Sequence, residues 1–396
     1  MKKKLMCIML LLSFAVGVSA CGNGQQDANR SENGTTSHAP QSKNDTSSEK
    51  GEQKGGSQNP QAGTVSASAF SGKVSDCYYG GGDRIIVVAD KLYLYDTQKG
   101  ENIASADISL EELYVQTYSD GYFLVGREKN GDGDALKGYL LNREFKIEST
   151  VSFRELLSDD IVTGTERFAI SQNGKQIAFG GLQGLYLYDT SSKKIRTILN
   201  YSENGRTNNM EIVTMDNLTF TKDNALAYVG QGTGSGGGDG FSVYGTVSTD
   251  GSHLTITKKA DYEVAGEEVQ RGGNILIMPQ VFNKNNGTLL MLDTASNAEK
   301  MMTFASKSEG KDGVFSSEQG KYVATSMLGE TSVTINIYDT TSGKVVHTET
   351  VKDSNSTYFL RVPQILILDE SGTCIVVLGK SIGEVNTLIT TFGFGR

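Results

Sequence analysis

The distribution of apolar residues divides the chain into three stretches. Residues 5–18 are mainly apolar, residues 22–64 contain no Val, Ile, Leu, Met, Phe, Tyr or Trp, and residues 65–396 alternate short apolar runs with polar turns. The runs in the third stretch are rich in β-branched and aromatic residues, and Gly, Asn, Asp and Ser separate them, which is typical of strands joined in hairpins. The sequence therefore predicts an all-β domain over residues 65–396, with at most a short helix near residues 153–157.

The predicted strands recur in units of similar length. The hexapeptide Leu-Tyr-Leu-Tyr-Asp-Thr occurs identically at residues 92–97 and 185–190. A tight turn before an apolar run, such as Gly82-Asp83 or Ser371-Gly372, marks each of seven units. The residue that ends the third strand of successive units falls at intervals of 46 to 56 residues, at Asp96, Asn142, Asp189, Gly245, Asp293 and Asp339.

Four-stranded units of this length match a β-propeller, in which neighbouring sheets bury their faces around a common axis. We therefore predict a seven-bladed β-propeller, and we expect an N-terminal strand at residues 64–71 to complete the last blade. The Asp at the end of the third strand is interpreted as structural, because its side chain can accept backbone N–H groups in a turn. Gly100 and Gly343 suit the positive φ that a bulged hairpin requires.

The units resemble the WD40, YVTN and PQQ-type propeller repeats through the stretch Tyr-Asp-Thr-x-x-Gly-Lys, which is clearest at residues 338–344. The chain has no Trp, so the Trp-Asp dipeptide and the Trp-docking of PQQ-type blades are both missing. The resemblance implies the propeller fold, and a fold does not by itself imply a function.

The N-terminal residues have the pattern of an export signal. Lys2, Lys3 and Lys4 precede the apolar run, which is shorter than the roughly 20 residues that a membrane-spanning helix needs. Val18-Ser19-Ala20-Cys21 resembles the bacterial lipobox, and this resemblance implies cleavage before Cys21 and attachment of acyl chains such as palmitate. We expect residues 1–20 to be a lipoprotein signal peptide and Cys21 to anchor the chain on the extracytoplasmic face of a membrane. The alternative is an ordinary secretory signal with an incidental cysteine.

Composition separates the linker from the folded domain. Residues 21–64 cannot bury a core, so we predict a lipidated Cys21 followed by a disordered tether. Without the three lysines of residues 1–20 and the four basic and five acidic residues of the tether, the chain keeps 30 basic and 41 acidic residues. Nucleic acid needs a basic patch and is therefore not an expected partner. Cys77 and Cys374 are either two buried thiols or one disulfide.

No catalytic or cofactor motif stands out in the predicted domain. The Gly-rich residues 230–240 contain G-x-G-x-x-G but precede a strand, so we interpret them as a mobile loop. Asn130, Asp132 and Asp134 form a weak calcium-loop pattern in which Ala135 replaces the required Gly, and the alternative is a solvated loop. With two histidines, neither near a Cys, no zinc site or Ser/His/Asp triad can be assembled, and we expect no cofactor.

Two functional hypotheses follow. The first is a binding or assembly module, held on the membrane by its lipid anchor, for a protein or cell-envelope ligand. The alternative is a propeller enzyme, such as a lactonase, lyase or glycosidase, with acidic residues at the central channel. Loops after the second and fourth strands are predicted to be long and to gather on one rim, where function tends to lie. That rim is expected to carry aromatic and Arg residues of binding hot spots, namely Tyr114, Tyr201, Arg206, Tyr262 and Arg271.

Overall fold

A computed structural model gives the fold of the chain. It describes residue 65 and residues 67–394 apart from 129–135, 157–163, 165–166, 236–239, 259–269, 280–286, 297, 311–312, 330–331, 353–362 and 380–386. The predicted signal peptide, Cys21 and tether therefore lie outside the described residues. Within the described part of the chain, no helix combines the length and apolar character needed to cross a membrane.

The first four blades are antiparallel sheets whose strands pair in chain order. Two short helices follow the second and third blades, α1 (Phe153–Leu156) and α2 (Tyr201–Asn204), and α1 confirms the short helix that the sequence predicts. The strands of these blades are β1 (Asp76–Tyr79), β2 (Arg84–Val88), β3 (Leu92–Asp96) and β4 (Glu101–Ala106); β5 (Leu110–Tyr118), β6 (Gly121–Glu128), β7 (Leu136–Asn142) and β8 (Ile147–Ser152); β9 (Phe168–Ile170), β10 (Gln176–Gly180), β11 (Gly184–Asp189) and β12 (Lys194–Asn200); and β13 (Arg206–Thr207), β14 (Met210–Phe220), β15 (Leu226–Gly234), β16 (Phe241–Val247) and β17 (Thr257–Lys258).

The last three blades have the same organisation, and the seventh has three strands among the described residues. Seven antiparallel sheets around one axis confirm the predicted all-β, seven-bladed propeller. The remaining strands are β18 (Gln270–Gly272), β19 (Ile275–Pro279), β20 (Thr288–Asp293) and β21 (Ala298–Thr303); β22 (Val314–Ser316), β23 (Tyr322–Leu328), β24 (Ser332–Asp339) and β25 (Val345–Lys352); and β26 (Gln364–Leu368), β27 (Thr373–Gly379) and β28 (Thr387–Gly393).

The hydrophobic core is a series of clusters between neighbouring blades. Strand β3 is buried along its whole length, which explains why the second and third strands of each unit read as continuous apolar runs. Between the second and third blades, the ring centroid of Phe153 lies 4.5 Å from that of Phe168 and 5.1 Å from that of Phe179. Each blade is therefore stabilised through its neighbours rather than by a core of its own.

The Asp-Thr pair of the repeat fixes two turns at once. Asp96 Oδ1 accepts hydrogen bonds from the backbone N–H groups of Gln98 and Lys99 at 3.1 and 3.0 Å, which confirms the structural interpretation of this Asp. The hydroxyl of Thr97 donates to the carbonyl of Asp83 at 2.7 Å, in the turn between the first two strands. The Asp bond recurs at Asp189, Asp293 and Asp339, and the Thr bond recurs at Thr190, Thr294 and Thr340.

Two glycines predicted in a turn or loop of the fourth blade lie in strands instead. Gly245 lies inside β16, where a Cβ would lie 2.0 Å from the carbonyl oxygen of Thr255, so the glycine permits a close approach of two chains. Gly230 lies in β15, where a Cβ would lie 2.0 Å from the carbonyl oxygen of Thr214. The predicted loop 230–240 is therefore strand as far as Gly234. Gly100 and Gly343 have φ of +72° and +68°, as predicted.

Side-chain packing, rather than a paired strand, joins the N-terminal residues to the first and last blades. Where a strand was expected at residues 64–71, the described residues form a 3-10 turn, Ala67–Ala69, and Gly72 turns the chain with φ of +78°. Val65 and Phe70 are buried in one cluster with residues of β1, β26 and β28, and Phe70 stacks edge-on against Tyr95 at 5.4 Å. This cluster closes the ring between the seventh and first blades.

Cys77 and Cys374 are free, buried thiols in the first and seventh blades. The disulfide that the sequence left open is therefore not formed. Burial raises the pKa of both thiols well above the usual range, so they remain protonated and behave as small apolar residues.

Candidate functional site at the axial channel

A cavity of about 1130 Å³ lies on the propeller axis. Its wall is formed by the first strand of each blade and, in the fourth blade, by the second one, namely by β1, β5, β9, β14, β18, β22 and β26. Exposed residues of the short turns after β9, β14, β18 and β22 form its open end, which we call the mouth. Among the described residues, none from the loops after the second and fourth strands lines the cavity. The cavity therefore opens among short turns, whereas the binding residues were predicted on the long loops.

Local hydrogen bonds hold the mouth turns. In the third blade, the hydroxyl of Ser171 accepts a hydrogen bond from the N–H of Gln176 at 2.9 Å, and the N–H of Gly174 donates to the carbonyl of Ser171 at 2.8 Å. Gly174 has φ of +68°, which favours glycine at that position. The same bonds recur at Thr221 and Asn224 and at Ser317 and Gly320. The hydroxyl residue at the first position and the positive-φ residue at the last position thus fix these turns. The middle positions contribute Gln172, Asn173, Lys222, Glu318 and Gln319 to the lining of the cavity.

Side chains from non-adjacent blades meet across the channel. The hydroxyl of Tyr79 on β1 donates to the carbonyl of Ser316 on β22 at 2.6 Å and accepts from the N–H of Ile367 on β26 at 3.0 Å. The hydroxyl of Thr117 on β5 donates to the carboxylate of Glu318, after β22, at 3.2 Å. These bonds tie blades 1, 2, 6 and 7 together at the axis.

Two of the five predicted binding residues meet in this channel. The guanidinium of Arg271 lies 5.0 Å from the ring centroid of Tyr114 and donates to the carbonyl of Phe168 at 3.2 Å. The amide of Gln116 donates to the hydroxyl of Tyr114 at 2.9 Å and accepts from the N–H of Ile170 at 2.8 Å. Tyr114 and Arg271 therefore form a cation–π pair that crosses from blade 2 to blade 5.

The other predicted binding residues lie elsewhere or outside the described part. Tyr201 is only 5% exposed and packs in the core between the third and fourth blades, so its ring is not available at a rim. Arg206 is exposed on β13 and pairs with Glu211 at 3.4 Å. Tyr262 lies outside the described residues, as do the weak calcium candidates Asn130, Asp132 and Asp134. Among the residues that are described, no group of three His, Cys, Asp or Glu could hold a metal.

Glu318 provides the only carboxylate in the described lining of the cavity. It is not among the binding residues predicted from the sequence. Burial raises the pKa of its carboxyl to about 6, and the nearby Asp369 and Glu370 act in the same direction. Hydrogen bonds from Thr117 and from the N–H of Gly82 oppose this rise. The available signal was the alignment of Ser-Glu-Gln-Gly at residues 317–320 with Ser-Gln-Asn-Gly at residues 171–174, which places Glu318 at a middle turn position.

Comparisons with known proteins show the fold alone. No protein-family profile and no curated protein matches the chain. Among solved structures, the chain is similar to the β-propeller domain of Cps50 (Swd1) from Myceliophteria thermophila, at 12% identity and a TM-score of 0.53, over 80% of this chain and 95% of that one. It is also similar to the complex of KlAtg21 with the coiled-coil of AgAtg16, at 10% identity and a TM-score of 0.50, over 82% of this chain and 100% of that one. These likenesses support the β-propeller fold, and the seven antiparallel sheets give the number of blades.

Proposed function

We propose that this chain is a binding module that captures a component of the bacterial cell envelope at the mouth of its axial channel. One observation carries the proposal: all seven blades contribute to a single cavity of about 1130 Å³. The lining is rich in carboxamides, hydroxyls and tyrosines, and in the described part it holds one carboxylate and no histidine. Such a surface has many hydrogen-bonding groups but few that transfer protons or attack a substrate.

One propeller of the same fold supports a binding role. KlAtg21 is seen in complex with a coiled-coil, so a propeller of this shape can hold a protein segment. At 10% identity this likeness concerns the scaffold only. It means that the envelope component captured by this chain can be a protein. The finer proposal, that the module stands on the extracytoplasmic face of a membrane, rests on the lipobox-like residues that end at Cys21 and on the polar residues 22–64.

A capture experiment with variants of the mouth tests the binding role. Immobilised protein carrying Asn274→Ala and Gln319→Ala is expected to retain at least tenfold less of its envelope ligand than wild type. The matched control is Gln98→Ala, an exposed carboxamide in a turn outside the cavity lining. If capture survives the mouth variants and is lost with Arg206→Ala, the ligand binds at the long-loop rim and the proposal is wrong.

One observation favours a propeller hydrolase or lyase as the second candidate. The Glu318 carboxyl lies in the cavity with a pKa of about 6, a range suited to a general acid, and Asp369 stands close enough to influence it. An enzyme of this kind would lose turnover of a glycoside or lactone substrate on Glu318→Gln. A purified chain without such turnover excludes this candidate and leaves the binding module.

A further inference from the structure

We infer that the ligand held in the mouth is a neutral saccharide, bound by carboxamide side chains that approach the axis from several blades. This inference rests on the proposed binding function and names the ligand class of the same site.

Three carboxamides in the mouth turns have no hydrogen-bond partner among the described residues. These are the side chains of Gln172 in blade 3, Asn274 in blade 5 and Gln319 in blade 6, and all three line the cavity. Each has one amide N–H₂ donor group and one carbonyl acceptor. The mouth therefore presents hydrogen-bond donors and acceptors together. A hydroxyl group both donates and accepts, so it can bond to either part of a carboxamide.

The backbones that carry these side chains are already fixed. The carbonyl of Gln172 accepts from the N–H of Ser119 at 2.8 Å, and the carbonyl of Asn274 accepts from the N–H of Thr294 at 2.8 Å. The N–H of Gln319 donates to the carboxylate of Asp369 at 2.7 Å. Binding therefore orders only the side chains, which reduces the entropic cost of holding a ligand.

The directions of approach favour a sugar over a peptide. Blades 3, 5 and 6 occupy different angular positions around the axis, so their carboxamides join the lining of the cavity at three separate places along its perimeter. A sugar ring carries hydroxyls all around its edge, whereas an extended peptide carries its polar groups in two opposite rows along a line. A compact ring with peripheral hydroxyls matches the mouth, and the cavity of about 1130 Å³ is large enough for several sugar units.

The charges of the cavity favour a neutral ligand. Arg271 is engaged with Tyr114 and the Phe168 carbonyl, and Glu318 is engaged with Thr117. With Lys222 as the further charged residue of the lining, the formal charges sum to +1 when Glu318 is ionised. A phosphate or a polyanion would meet no basic cluster here, and a cationic ligand would meet a single carboxylate.

Binding of neutral oligosaccharides to the full chain tests the inference. The purified protein is kept in a detergent without a sugar headgroup, and saturation-transfer NMR and calorimetry are run with chitotetraose and maltotetraose. We expect at least one of them to bind. The triple variant Gln172→Ala, Asn274→Ala and Gln319→Ala should weaken that binding at least tenfold at an unchanged melting temperature, and Gln98→Ala should leave it unaltered.

The outcomes separate this inference from the proposed function. If envelope capture depends on the mouth but neither tetrasaccharide binds or competes, the saccharide class is wrong and the binding module stands. Binding of a neutral tetra-alanine peptide at the mouth in place of the sugars would likewise overturn the saccharide. If the mouth variants retain as much envelope ligand as wild type, the proposed function itself is wrong.

Discussion

At the scale of single residues, Glu318 shows how burial in the channel raises the pKa of a carboxyl group. The Glu318 carboxyl has a pKa of about 6 in the folded protein, against an ordinary value of 4.5. The folded state therefore binds a proton more tightly than the unfolded state does between these values. The free energy of unfolding must then fall as the pH rises from about 4.5 to above 6, and the ionised carboxylate costs roughly 2 kcal/mol at neutral pH.

Glu318→Gln should remove this dependence. The amide keeps an acceptor for Thr117 and Gly82 but does not ionise. Because roughly 0.8 of the total of about 2 kcal/mol is already lost at pH 5, the variant should gain about 1.2 kcal/mol relative to wild type between pH 5 and pH 7.5. Urea unfolding at the two pH values measures the change, and Glu101→Gln, an exposed carboxylate on β4, is the control. Parallel pH profiles for wild type and Glu318→Gln would show that this carboxyl is not perturbed by burial.

Single residues also show which details a sequence can predict. Asp96 and its equivalents were interpreted correctly because an Asp bonds to backbone groups two or three residues away, within its own turn. The bond from Thr97 to the carbonyl of Asp83 was not foreseen, because it joins two turns that only the folded sheet brings together. The same limit hid Glu318, whose partner Thr117 is 201 residues distant.

At the scale of elements, ring closure is the point where sequence and structure differ most. The alternation of apolar residues near residue 65 predicted a strand, but Val65 and Phe70 bury their side chains between blades without regular pairing. An alternation of apolar and polar residues indicates only which side chains are buried. Val65 and Phe70 are buried here without the backbone pairing of a strand.

Truncation tests the closure. Deletion of residues 22–62 should leave the melting temperature unchanged, since the deleted residues have no apolar side chain larger than Ala or Pro. Extending the deletion through residue 73 removes Val65 and Phe70 and should destabilise the fold by at least the roughly 3–5 kcal/mol typical of losing a buried Phe. Calorimetry of the two proteins decides the matter, and equal stability would mean that the N-terminal packing contributes nothing.

The strands and turns were predicted correctly where residues close in sequence determine the conformation. They were predicted wrongly where a residue distant in the sequence determines it. The four-strand unit was visible because tight turns and continuous apolar runs recur along the chain. Gly245 was placed in a turn because Gly usually marks one, and the carbonyl of Thr255 that requires it could not be seen from the sequence. Loop length also does not reveal which turns meet at the axial cavity, because only the folded ring brings those turns together.

At the scale of the whole molecule, Cys21→Ala tests the proposed anchor. The variant should be released from the membrane or stay unprocessed, because it lacks the thiol that would carry the acyl chains, while its melting temperature should match that of wild type. Fractionation and intact-mass measurement follow the two forms. Wild-type protein found free in the medium without an acyl mass would refute the anchor.

The turns of the mouth have a consequence for how such a molecule can change over time. In the turn from Ser171 to Gly174, the outer positions hold the chain in place, whereas the side chain of Gln172 lines the cavity without a hydrogen bond to the described residues. Substitution at a position of this kind is expected to preserve the fold, so selection can act on specificity with little penalty in stability. A library randomised at Gln172, Lys222 and Gln319 would sample new ligands on the same scaffold, much as antibodies vary their loops on a constant framework.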